Sequence, residues 1–186
     1  NNFPDDYSEA LNYIRRGKAY KAAFQAKERF WEKENIYGGI TWINASAQQI
    51  WYPPHNIHGK KGVVLAAYNF GGANYTEMSQ EDRIEDLLKH GEKVHANYRQ
   101  MAEKPITIAW HRMNNMLGCA PRWARNRGGW SEKEEQMYET LRQPVNGRHY
   151  LIGDQSTQHS AWMESAIQSA HYALADLDQR VRSEAA

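Results

Sequence analysis

The run Val63-Val64-Leu65-Ala66-Ala67-Tyr68, opened by Gly62 and closing at Phe70, constrains the fold more than any other stretch. It is β-branched at its start, apolar throughout and free of polar alternation. That pattern reads as a strand buried on both faces. Such a strand needs partners on its edges and cover on its sides, so the chain must build a sheet around it.

Candidates for that sheet are Lys18 to Ala26, Pro105 to Trp110, Ile40 to Asn44 and Gln49 to Tyr52, the last ended by Pro53-Pro54. Between them lie helical patterns. Tyr7 to Arg16 reads as a short helix stopped by Gly17. Ser79 with Asp82 three residues on resembles a capping box, and Ile84, Leu87, Leu88, Val94, Tyr98 and Met101 then keep helical spacing. Residues Asn114 to Arg127 look irregular, and Ser131 to Leu141 reads as a short charged helix. Met163, Ile167, Ala170, Leu174 and Leu177 trace one face of a last helix running towards Arg182. On another face, Ser165, Ser169 and Ala173 are small enough for close packing against a neighbour. The expected class is α/β, in the mixed α+β sense.

At 186 residues, with 41% hydrophobic and 12% aromatic content, the chain can bury a respectable core. A net charge of +1 gives no electrostatic case for nucleic acid or an anionic membrane. The basic and aromatic mix of Arg122, Trp123, Arg125, Arg127 and Trp130 therefore reads as a surface loop or subunit contact. No apolar run approaches the ~20 residues of a spanning helix. The single cysteine, Cys119, excludes a disulfide framework and reads as a semi-buried side chain. The eight histidines show no HExxH arrangement, the pair His55 and His58 sits in a Pro/Gly-punctuated segment, and no metal site is expected.

Chemistry concentrates near the end of the chain. Tyr150-Leu151-Ile152-Gly153 is strand-like, Asp154 follows, and a short polar loop leads to Ala161-Trp162-Met163-Glu164 at a helix start. A helix start offers unpaired N–H groups and a positive dipole end, and Trp162 can supply a flat wall beside them.

Several landmarks, taken in order, resemble the C-terminal half of the flavin amine oxidase superfamily, in its L-amino-acid oxidase branch. They are Lys21, Phe30-Trp31-Glu32, Gly38-Gly39, Tyr52-Pro53, Ala67-Tyr68, Trp110, and Tyr150 to Asp154 through Trp162-Met163-Glu164. The resemblance implies a mixed-sheet substrate domain plus the last strand and helix of an FAD-binding domain. On that basis residues 1–17 end an FAD-domain helix, 18–125 belong to the substrate domain, 126–145 connect, and 146–186 bind FAD.

By the same resemblance Lys21 is the candidate catalytic residue, holding a water against flavin N5. A lysine there must be solvated or paired, since a bare buried ammonium is costly. Tyr68 would bind the substrate carboxylate, and Trp110, Ala120, Ala161 and Trp162 would line the substrate side. Gly153, Asp154, Ala161, Trp162 and Met163 would hold FAD. Two positions depart from the family pattern: Ala161 stands where glycine is usual, and Asp154 where glutamate is usual. The implied reaction turns an L-amino acid into a 2-oxo acid, ammonia and hydrogen peroxide, with O2 as acceptor.

No GxGxxG turn occurs in the chain, so a pyrophosphate cradle and a carboxylate-binding arginine are expected from other subunits or fragments of the same enzyme. An amide-forming flavin monooxygenase, an amine or polyamine oxidase, and a non-catalytic interaction domain stay open as alternatives.

Overall fold

The computed structural model describes residues 3–71, 73–123 and 129–185. In chain order the elements are α1 (Asp5–Tyr13), β1 (Arg15–Arg16), β2 (Ala19–Ala26), β3 (Ile40–Trp42), β4 (Gln49–Trp51), β5 (Gly62–Phe70), α2 (Ala73–Glu77), α3 (Gln80–Glu92), α4 (Tyr98–Met101), β6 (Ala102–Ala109), β7 (Pro121–Arg122), α5 (Glu132–Arg142) and α6 (Met163–Ala185). They form two compact units, one of residues 18–119 and the other of residues 1–17 with 120–186.

The unit of residues 18–119 is built on a five-stranded sheet of order β3-β4-β5-β2-β6, antiparallel at every described pairing. The apolar strand β5 lies inside it, between β4 and β2. It is buried on one face only, with Val63 and Phe70 exposed on the other, against the burial on both faces that its composition suggested. One face carries Tyr20, Ala22, Phe24, Val64, Ala66 and Ala67 into a core with Phe30, Trp31, Ile50, Tyr52, Leu87 and Tyr98. The opposite face is half-buried to exposed, and it holds Lys21, Ala23, Leu65, Tyr68, Phe70 and Ile106.

Two register irregularities shape this sheet. Ala22 pairs with Ala67 but Ala23 with Leu65, so Ala66 has no partner on β2. On the other side Ala23 pairs with Ile106 and Gln25 with Glu103, leaving an extra β6 residue near Lys104, whose φ is +50°. Pro105 is tolerated beside it because β6 is an edge strand.

Helix α3 starts as its cap predicts, with the Asp82 N–H donating to Ser79 Oγ at 3.1 Å. It does not run on to Met101. The chain breaks after Glu92 and resumes as α4, for a tertiary reason. His95 is fully buried, with Nε2 2.8 Å from the Tyr52 hydroxyl and Nδ1 2.8 Å from Glu34 Oε2. Gly91 lets the Tyr98 ring approach so closely that a Cβ would meet its Cδ1 at 2.3 Å.

The unit of residues 1–17 and 120–186 has its own core of Tyr7, Ala10, Ile14, Trp123, Met137, Tyr138, Leu141 and Val145. Trp123 is therefore core, not surface: its ring stacks on Trp130 at 5.4 Å and meets Tyr138 edge-on at 5.8 Å. Arg125 and Arg127 lie outside the described residues, as does the side chain of Arg122. Helix α5 begins with a complete capping box between Ser131 and Glu134.

Tyr150 to Gly153 is not a strand here, because among the described residues no strand pairs with it. It is tied instead to α6 by side chains: Tyr150 donates to Asp176 at 2.6 Å, and the Gly153 N–H donates to Ser169 Oγ at 2.8 Å. Helix α6 buries its small-residue face, Ser165, Ser169 and Ala173. Its apolar stripe of Met163, Ile167, Leu174, Leu177 and Val181 is exposed. Among the described residues no helix is long and apolar enough to cross a membrane.

Candidate functional site

In the first unit the sheet brings Lys21 and Tyr68 together. They are register partners across β2 and β5, and Lys21 Nζ lies 4.4 Å from the centre of the Tyr68 ring. The skipped partner at Ala66 makes this possible. Side chains alternate along a strand, so Val63 and Leu65 on the open face would be followed there by Ala67. One extra residue shifts the alternation, and Tyr68 and Phe70 take the open face instead.

Around them the surface is aromatic. Phe70 lies 4.5 Å and Trp51 5.9 Å from the Tyr68 ring centre. Among the described residues no carboxylate pairs with Lys21, and the Tyr68 hydroxyl has no hydrogen-bond partner. Burial pushes the Tyr68 phenol above its ordinary pKa, and Cys119 adds to the effect. The phenol thus stays protonated at neutral pH and can donate. A neutral O–H and an unpaired ammonium on one apolar floor suit an ordered water and an anionic group.

Trp110 follows β6 directly, half-buried in the 3-10 turn Trp110–Arg112. Gly118 is buried, while Cys119 is exposed, against the semi-buried place its type suggested. Ala120 belongs to the other unit, where its carbonyl accepts the Gly17 N–H at 2.8 Å.

That other unit holds Gly153, Asp154, Ala161, Trp162 and Met163 in one place. Asp154 Oδ2 accepts the Ala161 N–H at 2.7 Å, closing the loop between them. Ser156 Oγ donates to the Gly153 carbonyl at 2.9 Å and Thr157 Oγ1 to the Asp154 carbonyl at 2.8 Å. Beyond the loop, Trp162 is 70% and Met163 85% exposed, so the indole and the first turn of α6 are free to receive a flat ligand. A cavity of about 320 Å³ in this unit is lined by Tyr138, Arg142, Ser156, Thr157, Ser169 and Tyr172 among others, and by none of those five residues.

Sequence reasoning missed Trp51 and Phe70. Period-two spacing from Tyr68 would have found Phe70, whereas Trp51 depends on strand pairing. It also missed the hydrogen-bonded chain Glu34–His95–Tyr52–Thr41, which runs from the exposed Glu34 through the buried His95 and Tyr52 and whose last link is 2.8 Å between hydroxyls. Its members are scattered along the chain and leave no local signal.

The sequence profile of the flavin containing amine oxidoreductases matches residues 1–177, and the chain belongs to that family. Its relatives include a flavin-dependent L-tryptophan oxidase, RebO, of Lentzea aerocolonigenes, 27% identical over 89% of this chain and 35% of that protein. A putative L-amino-acid oxidase, YobN, of Bacillus subtilis is 29% identical over 86% of this chain and 32% of its own length. An L-amino-acid oxidase of Siganus canaliculatus is 26% identical over 92% of this chain and 32% of its own. The chain thus spans about a third of the length of the curated relatives it matches.

Among solved structures, a cyclohexylamine oxidase of Brevibacterium oxydans superposes with a TM-score of 0.76 at 15% identity, covering 96% of this chain and 39% of that one. A putrescine oxidase variant gives 0.75 at 17%, covering 96% and 38%. These two share the fold.

FAD is the cofactor of this family, and the residues present fit part of it. An exposed indole beside an open helix start suits the ring system, and an unpaired lysine suits a polar edge. The sequence has no GxGxxG of the kind that cradles a pyrophosphate.

Proposed function

We propose that this chain is the C-terminal portion of an FAD-dependent L-amino-acid oxidase, converting an L-amino acid to a 2-oxo acid, ammonia and hydrogen peroxide. Bound FAD supplies the two-electron acceptor and the path to O2. The chain's residues supply orientation. Tyr68 donates its O–H to the substrate carboxylate, and Lys21 holds a water at the reacting edge of the flavin. Trp162 walls the substrate, and Trp110 and Ala120 limit its side chain. The N–H groups of Trp162 and Met163 would face the ring where negative charge grows on reduction, the Ala161 N–H being taken by Asp154.

One observation carries the reading: on the open face of a sheet Lys21 lies over the Tyr68 ring, and among the described residues neither its ammonium nor the Tyr68 hydroxyl has a partner. The L-amino-acid oxidases among the relatives support the carboxylate role of Tyr68. Further polypeptide of the same enzyme, as a longer chain or as associated fragments, would supply the pyrophosphate cradle and a carboxylate-binding arginine. The exposed stripe Met163, Ile167, Leu174, Leu177 and Val181 supports such a partner, since a row of this kind is a docking surface.

The test compares an L-amino acid with the amine that lacks its carboxylate, using the purified native protein and peroxide release as the readout. The amino acid should be oxidised at least tenfold more efficiently, and Tyr68→Phe should erase most of that preference by raising the KM of the amino acid. Equal oxidation of acid and amine, or a Tyr68→Phe enzyme with its preference intact, would remove this assignment.

A further inference from the structure

We infer that Asp154 is a positioning residue: its carboxylate clamps Ala161 in a left-handed conformation, and that clamp sets the turn which presents Trp162 and the start of α6. The inference rests on the flavin reading above for its purpose, though not for its geometry.

Ala161 has a φ of +71°, a region that side chains with a Cβ avoid. The other non-glycine residues with positive φ among the described ones are Asn35, Gln48, Asn56, Lys104, Asn115, Leu117 and Asn146. Four of them are asparagines, which tolerate this region best. Alanine has no side-chain group to stabilise itself there, so something outside the residue must hold it. The bond that does so is the 2.7 Å contact from the Ala161 N–H to Asp154 Oδ2.

The rest of the loop fixes both ends of that contact. Asp154 is anchored through the Thr157 hydroxyl on its carbonyl, and the neighbouring Gly153 through Ser156 and Ser169. Ser160 Oγ donates to the Pro121 carbonyl at 2.8 Å, holding the residue before Ala161. Asp154 therefore faces a choice between two roles. A carboxylate that binds the cofactor directly would act as a ligand. The structure spends one of its oxygens on the chain's own backbone instead.

The two roles separate in a double-mutant experiment on the full protein. Hydrogen exchange at the Ala161 amide is measured first, without added flavin. Asp154→Ala should speed it at least tenfold if the clamp exists. FAD is then titrated into the apoprotein of the wild type, Asp154→Ala, Ala161→Gly and the double variant. Asp154→Ala should weaken FAD binding about tenfold. Adding Ala161→Gly should restore it to within about threefold of wild type, because glycine holds the left-handed turn without help.

Loss of affinity without rescue by Ala161→Gly would mean direct contact with the cofactor, and would overturn the positioning role. Unchanged exchange at Ala161 in Asp154→Ala would also overturn it. A protein that takes up no FAD in any variant, yet shows the exchange effect, would sink the flavin reading and leave the clamp standing.

Discussion

Ala161 shows how a single departure from a family pattern becomes intelligible through one dihedral angle. The resemblance expects glycine there, and the left-handed φ of +71° is one that glycine adopts freely. Holding alanine in that region costs about 1–2 kcal/mol. A hydrogen bond to a charged acceptor returns roughly 1.5–3 kcal/mol, so the Asp154 contact can sustain the strain. Ala161→Gly should therefore raise stability by about 1 kcal/mol, read as an upward shift of the melting temperature.

His95 makes a second case at this scale. It is 1% exposed and bonded on both ring nitrogens, so His95→Ala opens a cavity and strips partners from Tyr52 and Glu34. The loss should be about 2–4 kcal/mol in chemical denaturation, whereas an exposed histidine such as His171 should change by less than about 0.5 kcal/mol on the same substitution.

Buried phenols also make the fold sensitive to alkali. Burial raises the pKa of Tyr98 and Tyr52 above the ordinary value, Tyr52 despite a hydrogen bond with Thr41 that opposes the shift. Since the folded state holds these protons more tightly than the unfolded chain, their stabilisation is complete below about pH 10. It declines as pH rises from there towards the folded-state values. Unfolding midpoints should fall steadily above that pH, and Tyr98→Phe should flatten the decline.

At the scale of elements, the parts written in local chemistry were legible. Strand β5 follows from an unbroken apolar run, and it spans Gly62–Phe70 as read. The caps at Ser79 and Ser131 start their helices as their side chains require. The small-residue face of α6 was legible too, and Ser165, Ser169 and Ala173 are the buried positions. Ser169→Leu should accordingly cost 1–3 kcal/mol or more by overpacking, while Leu174→Ser on the exposed stripe should cost less than about 0.5 kcal/mol in this chain alone.

What local chemistry could not show depends on distant partners. The shift at Ala66 exists only in the pairing of β2 with β5, yet it decides that Tyr68 and not Ala67 shares a face with Lys21. The break after Glu92 is set by His95 reaching Tyr52 and Glu34, while the apolar spacing runs through it undisturbed. Tyr150 to Gly153 has the composition of a strand, but among the described residues no strand pairs with it.

For the molecule as a whole, each of the two compact units carries a different part of the candidate chemistry. Lys21 and Tyr68 stand on the open sheet face of one, and Asp154 to Met163 form the turn of the other. The family places flavin chemistry on such a scaffold, and the chain matches about a third of its curated relatives' length. The central claim is that an L-amino acid delivers electrons to a flavin held in part by this chain. The most direct measurement follows the visible flavin absorbance of the purified native protein during anaerobic addition of L-amino acids. The absorbance should bleach with at least one L-amino acid, stay unchanged with its D-enantiomer, and return with peroxide release when O2 is admitted. A protein without bound flavin, or a flavin that no L-amino acid bleaches, would contradict the account.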